Sequence, residues 1–244
     1  MKFDPPLQQG RFQKRYKRFF TDIEYHGDII TAHCPNTGSM KGLDKPNSTC
    51  LFSTTDDPKR KLKYTLQMVK TPSSWVGVNT GLPNKLVAEL FNSNPLKHWQ
   101  KFDSLQSEVK ISEMSRIDLV LWNSSQHTVK KWNHKNLTPP LHLIEVKNVT
   151  LAEDGVALFP DAVTSRGLKH LHELIELREK GFSCEMVFVV QRTDCSLFKA
   201  AADVDPDYAR GLKEAKKAGV KITPLPCKIT KKEVALQATP MRYK

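Results

Sequence analysis

Two apolar runs of this 244-residue chain carry charges that an apolar run tolerates poorly. The first is Ser115-Arg116-Ile117-Asp118-Leu119-Val120-Leu121; the second is Leu143-Ile144-Glu145-Val146-Lys147. Side chains alternate along a strand, so Glu145 and Lys147 share one face while Ile144 and Val146 take the other. Asp118 shares the face of Val120, opposite Ile117 and Leu119. An unpaired charge in such a setting is costly, and a divalent ion offsets that cost. Mg2+ held by two carboxylates keeps several waters and takes a substrate phosphate; Mn2+ suits the same ligands. Such an ion activates a water and neutralises charge at phosphorus. A lysine beside the carboxylates orients that water or stabilises the charge of the transition state. Asp118, Glu145 and Lys147 are therefore candidate catalytic residues for phosphodiester hydrolysis. The competing reading is a solvated pair at a strand edge, because an isolated E-x-K is common. The order D…E-x-K across two apolar strands is much more specific.

Other candidates carry less information. Glu89 lies on the polar flank of a helix spanning 83–91, as a third metal carboxylate or as a surface residue. Arg166, Lys169, His170 and Glu173 fall at i, i+3, i+4 and i+7 of a helix spanning 161–180. That face either lines a phosphate-binding cleft or is solvated opposite Leu168, Leu171 and Ile175. Lys14-Arg15-Tyr16-Lys17-Arg18-Phe19-Phe20 interleaves cations with aromatics. Single-strand binders use that pairing, with cations tracking the backbone and rings stacking on bases. Arg15, Lys17 and Arg18 are then DNA contacts; alternatively, the phenylalanines are core and the cations solvated. Cys34, Cys50, Cys184, Cys195 and Cys227 show no C-x-x-C spacing, and no zinc cluster is visible. Reduced thiols are expected.

The elements that must position these residues change character near residue 80. Before it, apolar and polar residues alternate in short runs, as in Lys61–Met68, which reads as a half-buried strand. Turns such as His26-Gly27-Asp28 and Pro35-Asn36-Thr37-Gly38 separate the runs. Short strands with tight turns predict a small all-β barrel over 1–80. Beyond it, strands at 108–112, 116–122, 141–147, 184–191 and 220–225 alternate with helices at 83–91, 161–180 and 206–218. This predicts an α/β domain with some parallel pairing over 81–244. Asp161 is the expected N-cap of the second helix and Gly181 its C-cap. Residues 123–140 read as a long exposed loop, and the last dozen residues as a loosely held tail.

Lys and Arg number 38 against 26 Asp and Glu, a formal charge of +12. An excess of that size points to a polyanionic partner such as nucleic acid. No run is long and apolar enough for a transmembrane helix, and the N-terminus has no apolar leader. A cytoplasmic protein with no membrane partner is expected.

Several blocks together resemble the sugar fermentation stimulation protein A family. They include Arg15-Tyr16-Lys17-Arg18-Phe19, His33-Cys34-Pro35-Asn36-Thr37-Gly38-Ser39-Met40 and Val78-Asn79-Thr80. Ser107-Glu108-Val109-Lys110, Ser115-Arg116-Ile117-Asp118 and Ile144-Glu145-Val146-Lys147-Asn148-Val149-Thr150-Leu151 continue the set. Phe159-Pro160-Asp161-Ala162-Val163-Thr164, Arg166-Gly167 and Lys169-His170-Leu171 complete it. The resemblance covers nearly the whole chain. It implies an N-terminal OB-fold barrel, a C-terminal domain similar to the PD-(D/E)XK nucleases, DNA binding and a link to sugar (maltose) metabolism genes. By position, Asp118, Glu145 and Lys147 match the nuclease motif. Glu89 falls on the helix where that superfamily often has an acidic residue, and Arg166 and His170 fall where supporting residues often lie. Ile117 stands where the motif has proline. The His33–Met40 block brings no assigned role; its turn residues suggest a fixed loop near a groove.

Two functional readings follow. In the first, the protein binds DNA and hydrolyses phosphodiesters with Mg2+ or Mn2+ held by Glu89, Asp118 and Glu145, the Val146 carbonyl being a further ligand. In the second, the nuclease fold is only a scaffold for a DNA-binding regulator of sugar metabolism genes. RNA in place of DNA is a third possibility, since the barrel type binds either.

Overall fold

The computed structural model describes every residue except 128 and 130. The first half is built from β1 (Gln8–Tyr16), β2 (Phe20–Tyr25), β3 (Asp28–His33), β4 (Thr49–Thr54), β5 (Tyr64–Lys70) and β6 (Trp75–Gly77). Antiparallel ladders run β3-β2-β1-β4-β5-β6. A parallel contact of β3 with β5, Ala32↔Tyr64 and His33↔Thr65, closes five strands into the expected barrel. Phe12, Ile23, Phe52 and Leu66 fill it. Gly10 is required where β1 crosses: a Cβ there would lie 2.5 Å from Ile23 Cγ2 and 2.8 Å from the Glu24 carbonyl.

β5 is not half-buried. Only its end residues are partly exposed, and everything between is buried. Leu66 and Val69 face the barrel interior. Met68, with Leu51 of β4, turns outward into the core of the second half beside Leu86, Val87 and Trp99. Protein covers both faces, which alternation within one strand cannot reveal.

The second half continues with α1 (Pro83–Ser93), β7 (Ser104–Lys110), β8 (Arg116–Trp122), β9 (His142–Val149), β10 (Leu151–Glu153) and β11 (Val156–Phe159). Then come α2 (Ser165–Glu179), β12 (Ser183–Val190), β13 (Leu197–Ala200), α3 (Pro206–Lys217), β14 (Lys221–Ile229), β15 (Val234–Leu236) and β16 (Arg242–Tyr243). The main sheet is ordered β15-β14-β12-β9-β8-β7, with a smaller sheet β10-β11-β13-β16. β9, β12 and β14 are parallel, and α2 lies in the crossover from β9 to β12. α1 and the barrel cover one face through Ile144, Val146 and Val187. α2 and α3 cover the other through Leu143, Met186, Leu171 and Leu212. This is the α/β domain that the alternation of strands and helices predicts.

Three local expectations are corrected. Asp161 does not cap α2; the hydroxyl of Thr164 accepts the Gly167 N–H at 3.0 Å instead. Asp161 is engaged by the barrel, its Oδ2 accepting from Ser39 Oγ at 3.0 Å and from the Met40 N–H at 3.3 Å. Thr164→Ala should therefore cost about 1 kcal/mol, read as a fall of a few degrees in thermal denaturation. The segment 123–140 is no simple exposed loop. Trp132 is 1% exposed and meets Trp122 edge-on, with ring centroids 6.0 Å apart. Positions 128 and 130 of this segment lie outside the described residues. The C-terminal dozen is pinned, because β15 pairs with β14, β16 pairs with β13 and Val234 is fully buried. Among the described residues, no helix is long and apolar enough to cross a membrane.

Candidate active site

The β8–β9 ladder runs from Leu121↔His142 to Leu119↔Ile144 and ends there. Asp118, next on β8, continues the contact through its side chain. Its Oδ2 accepts the Val146 N–H at 2.7 Å, and its Oδ1 accepts from Asn84 Nδ2 at 2.9 Å. On the other side of β8, the pairs Ser107↔Leu119 and Val109↔Ile117 place Glu108 across from Asp118. Glu108 holds φ +55°, which costs a non-glycine residue on the order of 1 kcal/mol. Asn84 Nδ2 also reaches Glu108 Oε1 at 3.3 Å, so one amide bridges both acids. Like charges set opposite one another in an antiparallel pair repel.

Glu145 is 3% exposed. Its Oε1 accepts from Lys147 Nζ at 2.6 Å and from His170 Nδ1. Arg166 Nε donates to His170 Nε2 at 3.4 Å, which assigns the imidazole proton to Nδ1. Thus α2 delivers His170 to the carboxylate and Arg166 behind it. Burial and the Glu145 charge push the Asp118 carboxyl up to about 6, against the Val146 and Asn84 hydrogen bonds and the Lys147 charge. Burial acts to raise Glu145 as well, but the His170 hydrogen bond and the Lys147 charge outweigh it and hold Glu145 below its ordinary value. Two neighbouring acids are driven apart, one charged and one ready to take a proton near neutrality.

These groups line a cleft of about 700 Å3, together with Glu113 and the cations Lys110 and Arg116. The buried end is acidic, at Asp118 and Glu145, whereas Lys110, Arg116 and Arg166 are exposed. The exposed rim mixes these cations with the acids Glu108 and Glu113.

The fold gathers Asp118, Glu145, Lys147, Arg166 and His170 into this one place. Glu89 is not among the cleft residues. It is half exposed and pairs with the Met1 amino group at 2.7 Å. The reason is helical phase: Asn84 in the first turn of α1 meets the parted strands, and Glu89, five residues on, is turned about 140° away. Arg15, Lys17 and Arg18 also lie outside the cleft, at the β1–β2 hairpin. Arg15 Nη2 donates to the carbonyls of Arg18 at 3.2 Å and Asn36 at 2.7 Å, so its guanidinium braces loops. Lys17 and Arg18 occupy the exposed tip with φ of 48° and 62°. Glu108 and Asn84 were not singled out from sequence. Glu108 and Lys110 bracket Val109 as Glu145 and Lys147 bracket Val146, a signal that was present. For Asn84 there was none.

A second polar cluster lies on the opposite face of the sheet. Glu185 Oε2 accepts from His142 Nε2 at 2.7 Å, Trp99 Nε1 at 2.8 Å and His98 Nε2 at 2.9 Å, and the Thr223 hydroxyl donates to Oε1. His98, His142 and Glu185 form a metal-type donor set with ligand atoms within 4.8 Å of one another. Sequence inspection showed no such cluster, because the fold assembles it from three distant positions. Four protein donors already satisfy Glu185, so a cation there would have to displace hydrogen bonds.

A closed five-stranded OB-like barrel fused to a mixed α/β domain, with Asp118, Glu145 and Lys147 gathered where β8 and β9 part, defines the class of this protein. The chain belongs to the sugar fermentation stimulation protein family. Residues 14–78 match the SfsA N-terminal OB domain, and residues 81–233 match the sugar fermentation stimulation protein RE domain. The sugar fermentation stimulation protein homolog of Bdellovibrio bacteriovorus is 47% identical across the whole of both chains. That of Geotalea uraniireducens is 44% identical over 91% of this chain and 90% of the relative. The solved structure of Pyrococcus furiosus SfsA in complex with Ca2+ has a TM-score of 0.85 at 24% identity, covering 100% of this chain and 98% of that one. That likeness establishes the fold.

Proposed function

We propose that the protein binds DNA and hydrolyses phosphodiester bonds with a divalent cation, Mg2+ or Mn2+. The observation that carries this reading is the convergence of Asp118 and Glu145 where β8 and β9 part, with Lys147 in contact and Glu108 across the strand. The upward push on Asp118 comes from its burial and from the Glu145 charge beside it. A divalent ion offsets the cost of keeping both carboxylates charged there, and carboxylate oxygens are the ligands Mg2+ and Mn2+ take. The Ca2+ complex of the Pyrococcus furiosus protein supports a hard cation in this fold.

In this reading Asp118 and Glu145 hold the ion, and Glu108 takes the third carboxylate role that sequence reasoning gave to Glu89. When bound, the ion lowers the pKa of its water and neutralises phosphate charge. His170 fixes the Glu145 carboxylate, Lys147 directs an N–H toward the attacked phosphate, and Arg166 steers the strand into the cleft. The basic charge of the chain suits a polyanion.

The test is cleavage of labelled single-stranded, duplex and flap DNA with Mg2+, Mn2+ or EDTA. Cutting that requires the metal and falls about 10²- to 10³-fold in Lys147→Met supports the reading. Binding without cleavage under every metal would overturn it in favour of a DNA-binding regulator. Calorimetry with Mn2+ separates the acids: Glu108→Gln should weaken binding roughly tenfold or more, while Glu89→Gln should match the wild type.

A further inference from the structure

The His33–Met40 block borders a second cavity, of about 250 Å3, that shares Thr80 with the cleft. Asn36, Thr37, Asn148, Thr150, Leu158 and Phe159 line most of it. Asn36 is 4% exposed, and its Oδ1 accepts the Gly38 N–H at 2.8 Å. Asn148 Oδ1 accepts from Gln191 Nε2 at 2.6 Å. Each amide thereby turns its NH2 group away from its partner. Among the described residues neither NH2 has a protein acceptor, and both residues line the cavity.

The loop forming this wall is held from three sides. Arg15 donates to the Asn36 carbonyl at 2.7 Å, and Thr80 Oγ1 donates to the Pro35 carbonyl at 2.8 Å. Ser39 and Met40 are bonded to Asp161. That last carboxylate is thereby engaged, and the other lining side chains are uncharged. The cavity therefore offers donors and hydroxyls on one part of its wall and Leu158 with Phe159 on another. A neutral, flat group with acceptors on its edge fits this chemistry, and a nucleobase is such a group. Its edge is free only when it is unpaired, and the volume suits one base and not a base pair. Asn148 directly follows Lys147 on β9, roughly 10 Å along the strand from Glu145.

We propose that this cavity takes one unpaired nucleobase of the strand whose phosphate lies at Asp118, Glu145 and Lys147. The inference rests on the phosphodiesterase reading and adds a substrate class to it: single strands, frayed ends or flaps. The Pro35–Met40 loop is then a specificity element that the barrel lends to the catalytic half.

The test tiles a single abasic position through a single-stranded oligonucleotide and measures binding in EDTA by fluorescence anisotropy. One position should lose about tenfold in affinity, and its neighbours much less. Asn148→Leu should flatten this profile. Leu158→Trp, which fills the cavity from its partly exposed rim, should do the same and serves if Asn148→Leu fails to fold. Mononucleotides are run as competitors, and the inference requires them to compete far more weakly than the strand. A flat wild-type profile, or a peak unchanged in a folded variant, overturns the base pocket and leaves the phosphodiesterase reading standing. Failure to bind any single strand overturns the base pocket, and the phosphodiesterase reading is then decided by the metal-dependent cleavage of duplex DNA.

Discussion

Asp118→Asn is expected to destroy activity and strengthen the fold. Metal-dependent cleavage should fall by about 10³-fold or more, because the substitution removes a charged oxygen ligand from the ion that neutralises the phosphate. Stability should move the other way. The Asp118 carboxyl is pushed up to about 6 by burial and the Glu145 charge, against about 3.9 in an unfolded chain. The folded state therefore binds this proton more tightly than the unfolded one. Ionised Asp118 opposes folding, and the penalty grows as pH rises from about 4 to about 6, reaching on the order of 3 kcal/mol. Below that window the group is protonated in both states and the penalty is absent. Asparagine keeps an oxygen for the Val146 N–H and cannot ionise; its NH2 then faces Asn84, whose amide must turn its oxygen to accept from it. The variant should melt several degrees above the wild type at pH 8, and the gap should close near pH 4. Mg2+ should raise the wild-type melting temperature and leave the variant unchanged. Equal melting at pH 8, or equal stabilisation of both by Mg2+, would contradict this account.

The second large effect is expected at a site that carries no chemistry in this mechanism. Glu185 is fully buried and receives four donors, from His98, Trp99, His142 and Thr223. Glu185→Ala leaves all four without this partner, and Trp99, His142 and Thr223 are buried away from water. The loss should be about 3–5 kcal/mol, seen as a drop of roughly 10 °C in melting temperature. Cleavage at a permissive temperature should persist. The network also has an acid limit. Burial acts to raise the Glu185 carboxyl, but its His142 and His98 partners outweigh burial and hold it far below the usual range. Its contribution is therefore present above the unfolded carboxylate pKa and is lost as pH falls below it. The stability gap between wild type and Glu185→Gln should narrow as pH drops under about 4. A gap that is constant with pH would mean that the carboxylate charge is not what stabilises this cluster.

The readable parts of the site were those governed by period-two alternation. Asp118, Glu145 and Lys147 stood out because a charge in an apolar strand breaks a local rule, and a helix period put Arg166 and His170 on one face. The barrel and the α/β half were legible for the same reason. What escaped depends on relations between strands. Glu108 acquires its meaning only from the register that sets it across from Asp118. Glu89 was favoured over Asn84 because charge is visible in sequence and helical phase relative to a distant strand is not. Trp132 looked like part of a polar loop until its ring met Trp122. Asp161 looked like a cap because it precedes a helix, yet its partners lie more than a hundred residues earlier.

That last bond bears on how such a protein can change over generations. Asp161 holds the Ser39–Met40 turn, and Leu51 and Met68 of the barrel are buried in the other half's core. Residue 80, where the sequence changes character most sharply, looks like a natural crossover point for shuffling domains. A chimera joined there would inherit one side of a shared core and one wall of a shared cleft. Homologous halves can be exchanged only if the loop, Asp161 and the core contacts travel together, so the two halves are expected to drift as a single unit of inheritance.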